Sequence, residues 1–195
     1  MISTAQSKLN RIILMSIGAL FIASAACLVS QDAFADKAKK IPKDMPLQTI
    51  GSAPSKKSVA HLYFADEDYY YLMSEQRVVT HSDDALDYAR SIVEALLKGP
   101  QKTLMRTIAA DTQLRAIYLV PDGICYVDFS QAVRENHPGG CNSELLTIYS
   151  VVNSLILNVP EVKRVKLLID GNEVQTLAGH IDLVYPLEAN MLLIR

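Results

Sequence analysis

Glycine and proline are scarce in this chain, eight of each in 195 residues, and cysteine and histidine are scarcer, three and four. The first shortage excludes a collagen-like or low-complexity chain, which needs far more of both. Half the residues are apolar, so an ordinary globular composition remains and, at this length, one domain. His61, His81 and His137 form no ligand spacing, which argues against a structural zinc site. Ser130, Ser143 and Ser150 lie in no Gly-x-Ser-x-Gly elbow, and the chain has no phosphate loop or dinucleotide fingerprint. Common hydrolase and nucleotide chemistry therefore has no nucleophile or phosphate cradle to use. Positive charge is missing where a nucleic-acid binder needs it: residues 58–195 carry 11 Lys and Arg against 18 Asp and Glu. An acidic body repels phosphate backbones, so nucleic acid is not an expected partner.

What is present begins with a sorting signal. Lys8 and Arg11 precede an apolar run over 12–29, and Ala33-Phe34-Ala35 supplies the small-x-small pattern of a cleavage site. Residues 1–35 therefore read as a signal peptide, with Asp36 as the mature N-terminus. Two rivals stay open. The run is at the lower length limit for spanning a bilayer and could remain as an anchor, and Ser24-Ala25-Ala26-Cys27 is a lipobox-like tetrapeptide whose Cys27 could carry lipid. Residues 36–57 hold six lysines against two aspartates with no apolar periodicity, which reads as a basic flexible linker. Its lysines are either simply solvated or, if the chain stays tethered, drawn to anionic head groups.

Residues 58–195 read as the folded part. Residues 59–65 and 69–79 are rich in β-branched and aromatic residues and are expected as two strands around an Asp66-Glu67-Asp68 turn. Ser82 then starts a helix, Leu86, Ala89, Val93, Leu96 and Leu97 give it an apolar face, and Lys98-Gly99-Pro100 stops it. Residues 114–120 and 124–129 form a hairpin through Pro121-Asp122-Gly123. A second helix opens at Ser143, with Leu145, Ile148, Tyr149, Val152, Leu155 and Ile156 as its stripe, and Pro160 ends it. Val165, Leu167 and Ile169 alternate in a further strand, and Asp170-Gly171 turns into a last one over 173–177. The order is β-β-α-β-β-α-β-β: an α+β fold, with two helices on one face of a mixed or mainly antiparallel sheet.

These landmarks line up with a known pattern. His61-Leu62-Tyr63-Phe64, Leu96-Leu97-Lys98-Gly99-Pro100, Tyr126-Val127-Asp128-Phe129-Ser130, the run 148–155 with Asn153, the run 165–171 ending in Gly171, and Gly179-His180-Ile181-Asp182-Leu183 with Pro186 occur in order. Over a core of about 58–186 the chain resembles the GerMN domain family of sporulation and spore-germination proteins. The founding sporulation protein carries two such domains in tandem; this sequence has room for one. The resemblance implies a fold similar to ring-building modules, an extracytoplasmic place, and a role in assembly without enzymatic activity. It also implies structural roles for Gly99, Pro100, Asp128, Phe129, Ser130, Asn153, Gly171, Gly179, His180 and Asp182.

Few residues compete for a chemical role. His180 and Asp182 would share a face if extended, as an acid/base pair or half a metal site, but a structural hydrogen bond is the preferred reading. Asp66, Glu67, Asp68, Asp83, Asp84 and Asp87 could gather round calcium, yet consecutive carboxylates splay apart, and a turn and a helix start explain them better. Asp170-Gly171-Asn172-Glu173 lacks the alternating ligands of a calcium loop. No cofactor or metal is expected. Tyr69, Tyr70 and Tyr71 cannot all face one way in a strand, so some aromatic surface is a candidate interaction patch, with burial as the alternative. Cys125 and Cys141 are the two cysteines left after cleavage, in an oxidising compartment, which suggests a disulfide. Strand geometry instead expects a free Cys125 packed near Val151 or Val152, about 13 Å from the strand end, with a bridge as the alternative.

The leading functional reading is a non-catalytic envelope protein that partners another envelope protein or itself. A module binding cell-wall glycan or peptide is the second, and an enzyme of unknown class using His180 and Asp182 the third. Export is the part most directly testable: mass spectrometry of the protein from its native host should give a chain starting at Asp36. A full-length cytosolic product would overturn it.

Overall fold

Two long strands open the fold. β1 (Lys56–Ala65) and β2 (Leu72–His81) pair antiparallel in one unbroken register, from Lys56 opposite His81 to Ala65 opposite Leu72. The structure, a computed structural model, describes residues 56–195. The expectations for cleavage at Ala33, Ala35 and Asp36, for Cys27 and for residues 36–55 lie outside the described residues. β1 takes up Lys56 and Lys57, the last two residues assigned to the linker. Its period-two pattern buries Ala60, Leu62 and Phe64 completely while leaving Val59 and His61 exposed.

β2 begins at Leu72, three residues later than alternation suggested, and the three tyrosines form the turn. The cause is local: the Asp66 carboxylate accepts the amides of Tyr70 and Tyr71 at 2.8 and 3.1 Å, and Tyr69 takes φ +57°. Such an Asx-type turn outcompetes extended backbone.

α1 (Ala85–Leu97) is capped by Asp84 rather than Ser82. Asp84 Oδ1 accepts the amides of Leu86 and Asp87 at 2.8 and 3.1 Å, and Ser82 Oγ accepts the Asp84 amide one step earlier. Tyr88, Ala89, Ile92, Val93 and Leu96 form its buried face. At its C-terminus Gly99 takes φ +83°, and a Cβ there would lie 2.4 Å from the Arg106 guanidinium. That guanidinium donates to the carbonyls of Leu97 and Lys98 at 2.7 and 2.8 Å, closing the helix. Glycine is thus required by conformation, and a Cβ would also push the Arg106 guanidinium off these carbonyls.

β3 (Leu114–Leu119) and β4 (Ile124–Phe129) form the expected hairpin, with Gly123 at φ +85°. β4 runs parallel to β5 (Arg164–Ile169), and the two-residue β6 (Asn172–Glu173) pairs antiparallel with β5, so the sheet order is β3-β4-β5-β6. The crossover that a parallel pair requires is carried by a short α2 (Ala132–Glu135), absent from the sequence reading, and by α3 (Cys141–Ile156). α3 starts two residues before Ser143, from Gly140 at φ +86°. The strand expected over 173–177 stops after Glu173. The α+β order therefore holds, with the strands divided between a two-stranded and a four-stranded mixed sheet.

The main core brings Leu62 and Phe64 of β1, Ile92 and Leu96 of α1, Val127 of β4 and Ile148 and Leu155 of α3 together. Polar residues of α3 and the turn after it complete what the sheets leave open. Along the outer edge of β1, Tyr63 N donates to Ser154 Oγ at 3.1 Å, and Asn158 both accepts from His61 N at 2.9 Å and donates to His61 O at 2.7 Å. Asn153, fully buried, does the same for the C-terminal segment, donating to Asn190 O at 3.0 Å and accepting from Asn190 N at 2.9 Å. Replacing Asn153 by Ala should therefore lower stability by about 1–3 kcal/mol through the two orphaned groups. Urea unfolding followed by circular dichroism measures it, and an unchanged midpoint would mean that other contacts hold this segment.

Candidate functional site

The most heavily bonded side chain near the expected His180–Asp182 pair is Glu144, in the first turn of α3, which is wholly buried. Glu144 Oε1 accepts the amides of Leu177 and Ala178 at 3.0 and 2.8 Å. Its Oε2 accepts the amide of His180 at 2.8 Å and lies 2.9 Å from His180 Nδ1. His180 thus pairs with Glu144, not with Asp182, whose Oδ1 accepts the amide of Val184 at 2.8 Å. Residues 179–181 lie in bends and Asp182 in irregular backbone, not in a strand, so the shared face drawn from alternation does not form. Burial alone would raise the Glu144 pKa, but the amides of Ala178 and His180 and the His180 ring outweigh it and hold the carboxyl below its usual range. The result is a carboxylate that gathers a loop, with its lone pairs used on backbone.

The sequence reading missed Glu144, which it passed over as part of a helix start. The available signal was its position: Glu144, Ile148, Val151 and Leu155 fall at helical spacing, so a carboxylate stands on the buried face. Leu145, Tyr149 and Ile156, assigned to that face, are only partly buried.

A second tie uses Asp128 of β4, 5% exposed, whose Oδ1 accepts the amide of Gly171 at 2.8 Å. Its Oδ2 faces Arg115 Nε at 3.3 Å, and Arg115 reaches Asp170 at 2.9 Å. Phe129 is buried beside it, and Ser130 exchanges bonds with Gln113, Oγ accepting its amide at 3.0 Å. At the end of α1, Glu75 and Arg77 form a buried ion pair on the inward face of β2. Arg77 donates to Gly99 O at 3.0 Å, while Glu75 accepts the amides of Gln101 and Lys102, each at 2.9 Å. This fixes the backbone on both sides of Pro100. Burial would raise the Glu75 pKa, but the bonds from Arg77, Lys102 and Gln101 lower it on balance. Gly179 adopts φ +103° with open space around it, so only its conformation calls for glycine.

The tyrosines separate. Tyr69 packs partly buried against Tyr63, Leu72 and Leu146. Tyr71 is covered by Arg195, whose guanidinium carbon sits 3.6 Å from the ring centre. Tyr70 alone is open, 66% exposed. Tyr69 also walls a cavity of about 260 Å³, with Arg106, Thr107, Asn136, Ser143 and Thr147. The polar walls are largely spoken for. The Gly139 amide donates to His137 Nδ1 at 3.0 Å, which leaves Nε2–H to donate to Thr147 Oγ1 at 3.2 Å; Thr147 in turn donates to Thr107 O. Burial holds the His137 pKa below its ordinary value.

Cys125 is fully buried in the core with Val151 and Val152, and burial pushes its thiol up to about 12. Cys141 is exposed at the start of α3, and both are free. Asp66 is used in the tyrosine turn and Asp84 in the α1 cap, so these carboxylates do not converge, and among the described residues no group of three or more His, Cys, Asp or Glu is placed to hold a metal ion.

The fold and these ties define a small α+β module whose polar interior is used for architecture. The chain belongs to the Germane family, described as sporulation and spore germination, whose model matches residues 61–175. It contains a GerMN-type domain, the resemblance drawn from the motifs. It is similar to the tandem GerMN domains of the sporulation protein GerM from Bacillus subtilis, at 19% identity and TM-score 0.52, over 68% of this chain and 46% of that one. The first GerMN domain of the same protein matches at 17% identity and TM-score 0.50, over 69% of this chain and 98% of that domain. A putative lipoprotein from Clostridium perfringens also matches, at 17% identity and TM-score 0.49, over 69% and 87% of the two chains. The chain spans about half the length of the tandem protein. No curated protein sequence matches it at a significant level.

Both buried carboxyls have folded pKa values below their ordinary ones. Their contribution to stability is therefore complete above the unfolded value of about 4.3 and is lost as pH falls through the lower folded values. Glu144→Gln should be less stable than the parent at neutral pH, because an amide donor then faces the loop amides. Its melting temperature should fall less than the parent's between about pH 5 and about pH 2. Parallel curves for the two proteins would contradict the assignment.

Proposed function

We propose that this protein is an exported, non-catalytic module of the cell envelope that acts by binding another protein or further copies of itself. The observation that carries the proposal is the commitment of its reactive side chains. Glu144, Asp128 and Asp182 each accept backbone amides, and His180 is held by Glu144. A general acid or base must keep a site free for substrate; Glu144 and Asp128, both buried, spend their oxygens on the fold, and the free His180 Nε2 faces no second catalytic group among the described residues, since Asp182 turns to Val184. The family's description and the likeness to the GerM domains support a role beside envelope assemblies. Export rests on Lys8, Arg11, the apolar run over 12–29 and Ala33-Phe34-Ala35. If the chain stays tethered, through that run or through Cys27, the lysines of the linker meet the anionic membrane surface.

A second reading, a module that binds cell-wall glycan or peptide, is favoured by Tyr70, an open ring at a turn. One pair of experiments separates the two. In-cell cross-linking in the native host should join the chain to protein, and purified cell wall should not carry it down on centrifugation. Cell-wall binding that is lost in Tyr70→Ala would overturn the proposal in favour of the second reading.

A further inference from the structure

β2 has two edges, and one of them is open. The amides of His61, Tyr63 and Ala65 point away from β2, toward Asn158, Ser154 and Met105. Alternation then fixes the rest: Met73, Glu75, Arg77 and Val79 bond to β1, and Leu72, Ser74, Gln76, Val78 and Thr80 turn their backbone groups outward. Leu72 is met by the C-terminal segment, with Arg195 N donating to Leu72 O at 3.0 Å. Among the described residues nothing bonds the outward amides and carbonyls of Ser74, Gln76, Val78 and Thr80.

Open edges are normally blunted by charge, proline, a bulge or shortness. On its outward residues this one has none of these, and its two inward charges, Glu75 and Arg77, neutralise each other. β2 is ten residues long, its register with β1 is unbroken, and the exposed side chains along its outer edge are Ser, Gln, Val and Thr. Val78 and its cross-strand partner Val59 are 62% and 57% exposed, an apolar centre on the outer face of the hairpin.

We infer that a second copy of this chain pairs with β2, edge to edge and antiparallel, around a two-fold axis at Arg77. This deepens the proposed function and rests on it. The register follows from the open positions. Only an axis at residue 77 matches all four, placing Ser74 opposite Thr80 and Gln76 opposite Val78, with about eight backbone hydrogen bonds across the axis. Both outward pairs are uncharged, and Arg77, which meets its own copy on the axis, points inward and is neutralised by Glu75, so the strip is self-complementary although the body is acidic. Beside the edge runs a groove of about 220 Å³ lined from α1 by Ser91, Glu94 and Lys98. The two-fold axis brings two such grooves together, so Glu94 of one copy is available to Lys98 of the other.

Sedimentation of the chain from residue 36 onward, across a range of concentrations, tests this. The core formed by the described residues, 56–195, is kept whole in this chain. The parent should form a dimer. Val78→Lys places a charge on the edge, and Gln76→Pro removes an outward amide that bonds nothing inside the domain. Each should weaken self-association at least about tenfold with the folded spectrum retained. A parent that stays monomeric at every concentration, because residues 36–55 cover the edge or for any other reason, overturns the inference. Dimers as strong in both variants as in the parent also overturn it, while leaving self-association, and with it the proposed function, intact. The proposed function fails separately, on cell-wall binding through Tyr70.

Discussion

A helix with polar residues on its buried side has to find partners for them, and α3 finds all but one of them in backbone. Glu144, Ser150, Asn153 and Ser154 are fully buried on this one helix, and Thr147 nearly so. Left unpaired, each would cost on the order of 1–3 kcal/mol. Instead Glu144 holds the loop at 177–180, Thr147 and Ser150 hold Thr107, Asn153 holds Asn190, and Ser154 holds β1. The irregular segments of the fold are therefore extensions of α3. Much of the chain after Glu173 forms little regular structure of its own and is ordered by side chains that replace a strand partner.

That arrangement explains which parts of the fold could be read from sequence. Period-two and helical spacing gave both hairpins, both long helices and the strand at 164–169, because those elements bury one face and polarity follows the face. Reading failed where a side chain competes with the backbone. The Asp66 carboxylate turns a β-prone tyrosine run into a loop, and Asp84 displaces Ser82 as cap. The strand over 173–177 fails for a related reason, since Glu144 and Arg134 take up backbone groups that a ladder would need. Each of these outcomes turns on two or three hydrogen bonds made by one or two side chains, which spacing along the chain does not encode.

The candidate site was legible in part. His180 was picked out by its place in a motif and given a structural role, and the structure supplies a partner that the motif did not name. Its neighbour in sequence, Asp182, was a misleading partner: two residues apart in a bend do not share a face. Glu144, 36 residues away, is reached only because the crossover folds back, and contacts of that range follow from topology.

The same logic separates what this fold must keep from what it can change. A backbone amide is available from any residue but proline, so a tie such as Glu144 to 177–180 constrains the residue that supplies the accepting carboxylate and little of the side chains whose amides donate to it. A module built on such ties keeps its shape while most surface positions vary, consistent with a common fold at 17–19% identity to the GerM domains. Under the function proposed above, partner recognition would fall to the surfaces the ties leave alone: the outer face of the hairpin, the Tyr70 ring and the open side of β2. Those surfaces carry no architectural duty, so their chemistry is free to follow a partner. On that proposal the residues that reveal the family and the residues that would choose a partner are different sets, and reading the first does not deliver the second.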